Sequence, residues 1–468
     1  MAAENKEEAF PWHLGVFDAH CHPTDTMSSM ETIQQNTKAR VLTVMATRAE
    51  DQDLVASTAH KHGVKSSDPA KWSKEERIVP CFGWHPWFSS QMYLTEEEEE
   101  GAETKYHKPL TGEAKIAHYR SVLQPSRETP SGEDRQKYLS LPDPISFSAF
   151  LSRTRENLKK YPYALVGEIG LDRAFRIPEA WTDHPDLWSK RDNGLTPGGR
   201  EGRRLTPFRT TPTHQKKIFK LQLQLAAEMG RAVSVHGVQA HGLVLEVLSD
   251  LWRGHEKEVL SKREQKKRRL EHPKAKAKVE AKAADDSKDD SKDDSKENAK
   301  KDVKDDTKDA KDDTKEDNKD TAKDDPKDDT NDHNTAKTTK KNPPATTPPY
   351  PPRICLHSYS GNISNFKQYL NPFIPAHIFA SFSTAINLSD ATDEETPASF
   401  VELIKTVPDH MLLVESDLHT AGEEMDRRLE DMVRRICKIK GWGLEKGVEI
   451  LGRNWRVFAF GEGGGKGE

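Results

Sequence analysis

Eight short apolar, β-branched runs recur along this chain, at 14–20, 41–47, 78–85, 164–168, 232–236, 354–357, 377–382 and 411–417, and several end in an ionisable residue. Near-continuous apolar runs suit strands buried on both faces of a parallel sheet, covered by helices on either side. Helical patterns lie between them. Over 213–229, Ile218, Leu221, Leu225 and Met229 form one stripe and Gly230 is a stop signal, and 424–440 is a second such segment. Eight strands alternating with helices predict an α/β fold of the (β/α)8 TIM-barrel type, which gathers its functional residues at the C-terminal ends of its strands. This chain puts His20, His85, Glu168, His236, His357 and Asp417 there. A doubly wound open sheet is the competing architecture, but it collects ligands at one switch point and not at so many strand ends.

Composition qualifies the length. Only 34% of the 468 residues are hydrophobic and 32% are charged, more polar than an ordinary globular domain. The excess is local. Residues 256–284 carry eleven Lys or Arg against five Glu, and 285–329 carry twelve Lys against twenty Asp or Glu in a DDSK-type repeat. Such a stretch buries too little apolar surface to offset its ordering entropy. We therefore expect one barrel formed by 11–254 and 353–461. A disordered, charged, low-complexity insertion is expected at 255–352, with loop insertions at 94–141 and 176–213 that have some helical content. The four cysteines show no CxxC or zinc-finger spacing, the N-terminus lacks an apolar signal region, and no stretch approaches the length of a membrane span. The expectation is a cytoplasmic or nuclear protein with free thiols and no membrane partner.

The candidate chemistry begins at His20 and His22. In an extended segment residues i and i+2 point the same way, so both imidazoles can face one ion. The bland alternative is a pair of loop histidines. Glu168 ends an apolar run between glycines, where an unpartnered carboxylate is costly. Two cations would resolve that cost, as would pairing with Arg173. His236 and His357 each close a strand; singly, each is more often a structural histidine. Asp417 is a ligand, a base or a helix N-cap. Four His, one Glu and one Asp exceed the needs of one tetrahedral ion with an open position. They suit two divalent ions about 3.5–4 Å apart that share a carboxylate. Zn, Mn, Co, Fe and, with more oxygen ligands, Mg all fit mixed imidazole and carboxylate donors.

The segments Asp18-Ala19-His20-Cys21-His22, Gly83-Trp84-His85-Pro86, Gly167-Glu168-Ile169-Gly170-Leu171-Asp172, Val235-His236, His357-Ser358-Tyr359-Ser360-Gly361 and Glu415-Ser416-Asp417 resemble, in order, the motif set of the TatD family of metal-dependent deoxyribonucleases, within the amidohydrolase-like barrels. The stretch 452–458 resembles the family's closing helix. The resemblance covers most of 14–254 and 353–460, omits the three insertions, and is of the kind seen in elongated fungal or other eukaryotic chains. It implies that His20, His22, Glu168 and Asp417 hold one ion, that Glu168, His236 and His357 hold the other, and that His85 lies beside the phosphate or donates a proton. Two segments depart from the family pattern: His236-Gly237-Val238 lacks an Arg two residues after the histidine, and Leu418-His419-Thr420 follows Asp417 in place of a small residue and Pro.

The implied function is exonuclease-like phosphodiester hydrolysis of single-stranded or frayed DNA by a dinuclear centre. Asp417, His85 and Glu168 are its catalytic candidates. Trp84, Trp87 and Phe88 are candidate base-stacking residues, or ordinary packing under a loop. One alternative is hydrolysis of another ester or amide. The other is an interaction scaffold that recruits a protein partner through 255–352, where Lys262–Arg269 is basic enough for an import signal or a nucleic-acid patch.

Overall fold

The structure, a computed structural model, describes residues 8–95, 108–127, 130–259, 347–392 and 395–462. Eight parallel strands pair in chain order: β1 (Phe17–Cys21), β2 (Val41–Met45), β3 (Ile78–Phe82), β4 (Leu165–Asp172), β5 (Val233–Val238), β6 (Arg353–Leu356), β7 (His377–Phe382) and β8 (Leu412–Val414). The ends of this sheet meet. The Asp417 N–H donates to the His20 carbonyl at 3.0 Å and the His22 N–H to the Leu418 carbonyl at 2.8 Å, which closes the barrel. Its outer layer includes α1 (Ala49–His62), α4 (Phe147–Lys160), α5 (Pro212–Glu228), α6 (His241–Trp252), α7 (Ile363–Gln368), α8 (Ala398–Thr406), α9 (Glu423–Lys440) and α10 (Leu444–Phe460).

Strand side chains alternate between two separate apolar clusters, as the period of two requires. Phe17, Ala19, Val41, Met45, Val79, Cys81, Leu165, Cys355, Phe379 and Leu413 fill the barrel interior. Their neighbours Leu42, Val44, Ile78, Phe82, Val166, Val235, Ile354, Leu356, Ala380 and Leu412 face outward and pack with the helices. At one end α10 plugs the interior. Trp455 stacks on Phe17 at 4.6 Å and donates its indole N–H to Thr43 at 3.0 Å. Asn454 binds the Leu412 carbonyl at 2.9 Å, tying the plug to β8.

The apolar run 164–168 was expected to end its strand at Glu168, but β4 continues to Asp172 after a register shift between Val166 and Ile169. Gly170 makes this possible. At φ +152° a Cβ there would collide with the His236 backbone, so only glycine lets β4 and β5 approach closely enough to set Glu168 beside His236.

Of the segment 94–141, α2 (Gly112–Val122) and α3 (Gly132–Ser140) are helical, and Leu123–Gln124 pairs antiparallel with Arg209–Thr210 of the segment 176–213. Ile116, Tyr119, Tyr138, Leu141, Ile177 and Phe208 share a small core of their own. The segment expected as a disordered insertion, 255–352, lies outside the described residues from 260 to 346. Among the described residues no helix is long and apolar enough to cross a membrane.

Candidate metal centre

At the barrel end opposite the α10 plug, His20, His22, His85, His236 and His357 meet around the single carboxylate of Glu168, and Asp417 faces His20 and His22. Glu168 is buried, and its two oxygens face two different groups. Oε2 stands 3.4 Å from His20 Nε2 and 3.3 Å from His22 Nε2. Asp417 Oδ1 lies 3.7 and 3.4 Å from the same nitrogens, which are 3.1 Å from each other. Oε1 stands 2.7 Å from His236 Nδ1, 3.3 Å from His357 Nε2 and 3.1 Å from His85 Nε2. Arg173, the alternative partner for Glu168, is exposed and joins β5 only through its backbone N–H.

The other ring nitrogen of each strand-end histidine is occupied by the protein. His20 Nδ1 meets Ser234 Oγ at 2.7 Å, His236 Nε2 meets Asp172 Oδ2 at 3.2 Å, and His357 Nδ1 meets Glu415 Oε1 at 3.0 Å. A carboxylate partner accepts the imidazole N–H, which leaves the opposite nitrogen as a lone pair aimed at Glu168. For His236 that puts a lone pair 2.7 Å from a carboxylate oxygen, an arrangement that needs a shared proton or a cation. His85 is wired the other way. Its Nδ1 accepts the Trp87 N–H at 3.2 Å, so its proton sits on Nε2 and points at Glu168. Asp417 holds a left-handed backbone at φ +57°, unusual for a non-glycine residue.

Electrostatics follow from burial and crowding. Burial opposes ionisation of Glu168, yet His85, His20 and His357 outweigh it and hold the carboxyl well below its ordinary range. Burial lowers His85 to about 4, keeping it neutral. Burial also opposes the charged form of His236, but Asp172 and Glu168 raise it to about 9. The cluster therefore attracts positive charge, in keeping with three buried groups whose donor atoms lie close enough to hold an ion: His20–His22–Glu168, His85–Glu168–His236 and His20–His357–Glu415.

The partners Ser234, Asp172 and Glu415 were not among the expected site residues, although the last two lie inside the motifs quoted above. The signal available for those two was a second carboxylate in the same motif, Asp172 four residues after Glu168 and Glu415 two before Asp417. One stacking candidate is corrected. Trp84 is 1% exposed, packs on Phe150 at 5.2 Å and donates its indole N–H to the Phe88 carbonyl, so it presents no face to a base. Trp87 is 39% exposed.

The family model described as TatD related DNase matches residues 17–263, more than half of the chain. The chain belongs to the TatD-related DNase family. As a member it is a TatD-type hydrolase. It is 29% identical over 445 residues to a Schizosaccharomyces pombe protein named Cut9-interacting protein scn1, covering 95% of this chain and 98% of that one. It is 24% identical over 239 residues to an uncharacterized deoxyribonuclease of Saccharomyces cerevisiae, covering 50% of this chain and 61% of that one. Among solved structures, a TatD homolog of Escherichia coli aligns over 95% of this chain and 96% of its own at 12% identity and a TM-score of 0.41. An uncharacterized amidohydrolase of Saccharomyces cerevisiae aligns over 94% and 98% at 11% identity and a TM-score of 0.44.

Proposed function

We propose that this chain is a divalent-metal-dependent deoxyribonuclease that hydrolyses phosphodiester bonds in single-stranded or frayed DNA. The observation that carries the proposal is Glu168, whose two oxygens face two separate sets of imidazole nitrogens. Four donors held about 2.0–2.1 Å from one ion stand about 3.3–3.4 Å apart along tetrahedral edges. The His20 and His22 nitrogens lie 3.1 Å apart, 3.3–3.4 Å from Glu168 Oε2 and 3.4–3.7 Å from Asp417 Oδ1, spacings close to those edges. Glu168, His236 and His357 form the second set. Mixed imidazole and carboxylate donors favour Zn, Mn or Co, with Mg the poorer match.

When bound, two such ions supply Lewis-acid stabilisation of the phosphoryl charge and a water acidic enough to react near neutral pH. The protein supplies the rest. Burial opposes ionisation of Asp417, but His357, His22 and His20 keep it low and ionised, so its carboxylate accepts the proton lost from the attacking water. His85 presents a neutral Nε2–H and assists the departing alkoxide. Asp172 and Glu415 fix the tautomers of His236 and His357.

The test is the purified full chain, loaded with Mn or Zn, on a 3′-labelled oligonucleotide beside an ester and an aminoacyl substrate. Nucleotide release is expected. Ester or amide turnover without nucleotide release would overturn the nuclease reading. A second reading, a protein-interaction role, is favoured by similarity along nearly the whole chain to a relative named for its interaction with Cut9. Deleting 255–352 separates the two: loss of captured partners with activity and metal retained assigns that segment to recruitment.

A further inference from the structure

The two segments read from sequence as loop insertions build one wall of a cavity beside the centre. It measures about 270 Å3, and Trp87, Phe88, Phe175, Trp181, Trp188 and Arg203 are among its lining residues. Phe88 and Phe175 lean on small apolar clusters, but Trp87, Trp181 and Trp188 belong to none. Trp188 is 51% exposed and Trp87 39%, in contrast with the buried Trp84. Trp87 stacks on Phe175 at 4.7 Å with planes 9° apart, and Trp181 meets Trp188 at 5.1 Å. The Arg203 guanidinium lies 4.3 Å from the centroid of the Trp181 ring and is anchored by the carbonyls of Glu179 and Gly199.

The cavity is wired to the centre. Trp87 Nε1–H donates to Asp172 Oδ2 at 2.6 Å, the same oxygen lies 3.2 Å from His236 Nε2, and His236 Nδ1 lies 2.7 Å from Glu168. One residue, Asp172, thus orients both an aromatic wall and an imidazole facing the shared carboxylate.

We infer that this cavity is a stacking subsite for one unpaired nucleobase of the strand whose phosphodiester lies at the centre. The inference rests on reading the centre as a phosphodiesterase. Aromatic faces accept any base through its π-surface, and a guanidinium on the wall adds a cationic edge. A paired base, stacked inside a duplex, has no free face to offer, so the subsite selects frayed or single-stranded ends. The insertion segments, which contribute Tyr119, Leu141, Trp181, Trp188 and Arg203 to its lining, thereby set substrate preference without supplying a group to the centre itself.

The experiment compares metal-loaded full chain on two single strands, one natural and one carrying an abasic residue next to the cleaved bond. In parallel, a strand with hydrolysis-resistant phosphorothioate linkages and 2-aminopurine at that position reports stacking by fluorescence quenching. The natural strand is expected to show a KM roughly tenfold lower than the abasic one. Trp188→Ala should abolish that difference and the quenching, while Trp188→Phe should restore most of both. Because Trp188 is half exposed, its truncation leaves the fold intact. Equal KM values and no quenching, with hydrolysis intact, would overturn the subsite and leave the nuclease reading standing. Quenching that depends on Trp188, without hydrolysis of either strand, would support base binding and overturn the nuclease reading.

Discussion

The two ends of this barrel are built on opposite principles. At the α10 end Phe17, Phe379, Leu413, Trp455 and Phe458 interlock in an apolar plug. At the other end His20, His22, Glu168, His236, His357 and Glu415 are all buried, and polar groups in such a place are costly unless they are matched. The plug needs only shape and stabilises the fold by removing apolar surface from water. The polar end is held in place by the frame beneath it, and under the proposed function two cations would balance its carboxylates. Stability and chemistry are therefore separable, and substitutions at the two ends should fail differently.

The largest expected effect is at the polar end. Glu168→Gln removes a charge that both donor sets share, and activity should fall on the order of ten-thousandfold, the several kcal/mol a metal centre contributes. Elemental analysis should show metal lost while circular dichroism stays unchanged. An unfolded variant would break the proposed separation. At the other end, Trp455→Ala deletes a fully buried indole and should cost about 3–5 kcal/mol in denaturant unfolding, with metal per folded chain unchanged.

His214 sharpens the contrast, because it is a buried imidazole away from both the plug and the carboxylates. Its Nε2 lies 3.0 Å from the Ser89 carbonyl, and burial, with His118 beside it, lowers its pKa to about 4. The folded state thus holds it neutral. The stability this contributes is fully present above the unfolded value near 6.5 and is lost as pH falls from there toward about 4. His214→Gln should flatten the dependence of unfolding free energy on pH across that window, by up to about 3 kcal/mol. An unchanged profile would show that His214 is already solvated. The smallest effect is expected from Asp172→Asn, which keeps the shape but weakens the hold on the His236 tautomer. Metal affinity should drop roughly ten- to a hundredfold, measured by competition with a chromophoric chelator, with little change in thermal midpoint.

The same contrast explains what could be read from the sequence. Apolar runs closed by an ionisable residue mark a strand and its C-terminal end at once, so β1 to β8 and the gathering of the strand-end residues from His20 to Asp417 at one barrel mouth were legible. The continuation of β4 to Asp172 was not, because a register shift leaves no trace in apolar periodicity. Trp84 and Trp87, three residues apart, differ only in what packs on them: Phe150 buries the first, whereas the second borders a cavity made by segments distant in sequence. The tautomer partner Ser234 was hidden for a related reason. A serine inside a strand signals its role only once the neighbouring strand is in place.

The most direct test of the central claim is an anomalous-difference map from crystals of the full chain grown with Mn. Two peaks about 3.5–4 Å apart are expected, one against Glu168 Oε2, His20, His22 and Asp417 and the other against Glu168 Oε1, His236 and His357. An ordered site without density, or ions that Glu168 does not touch, would contradict the account.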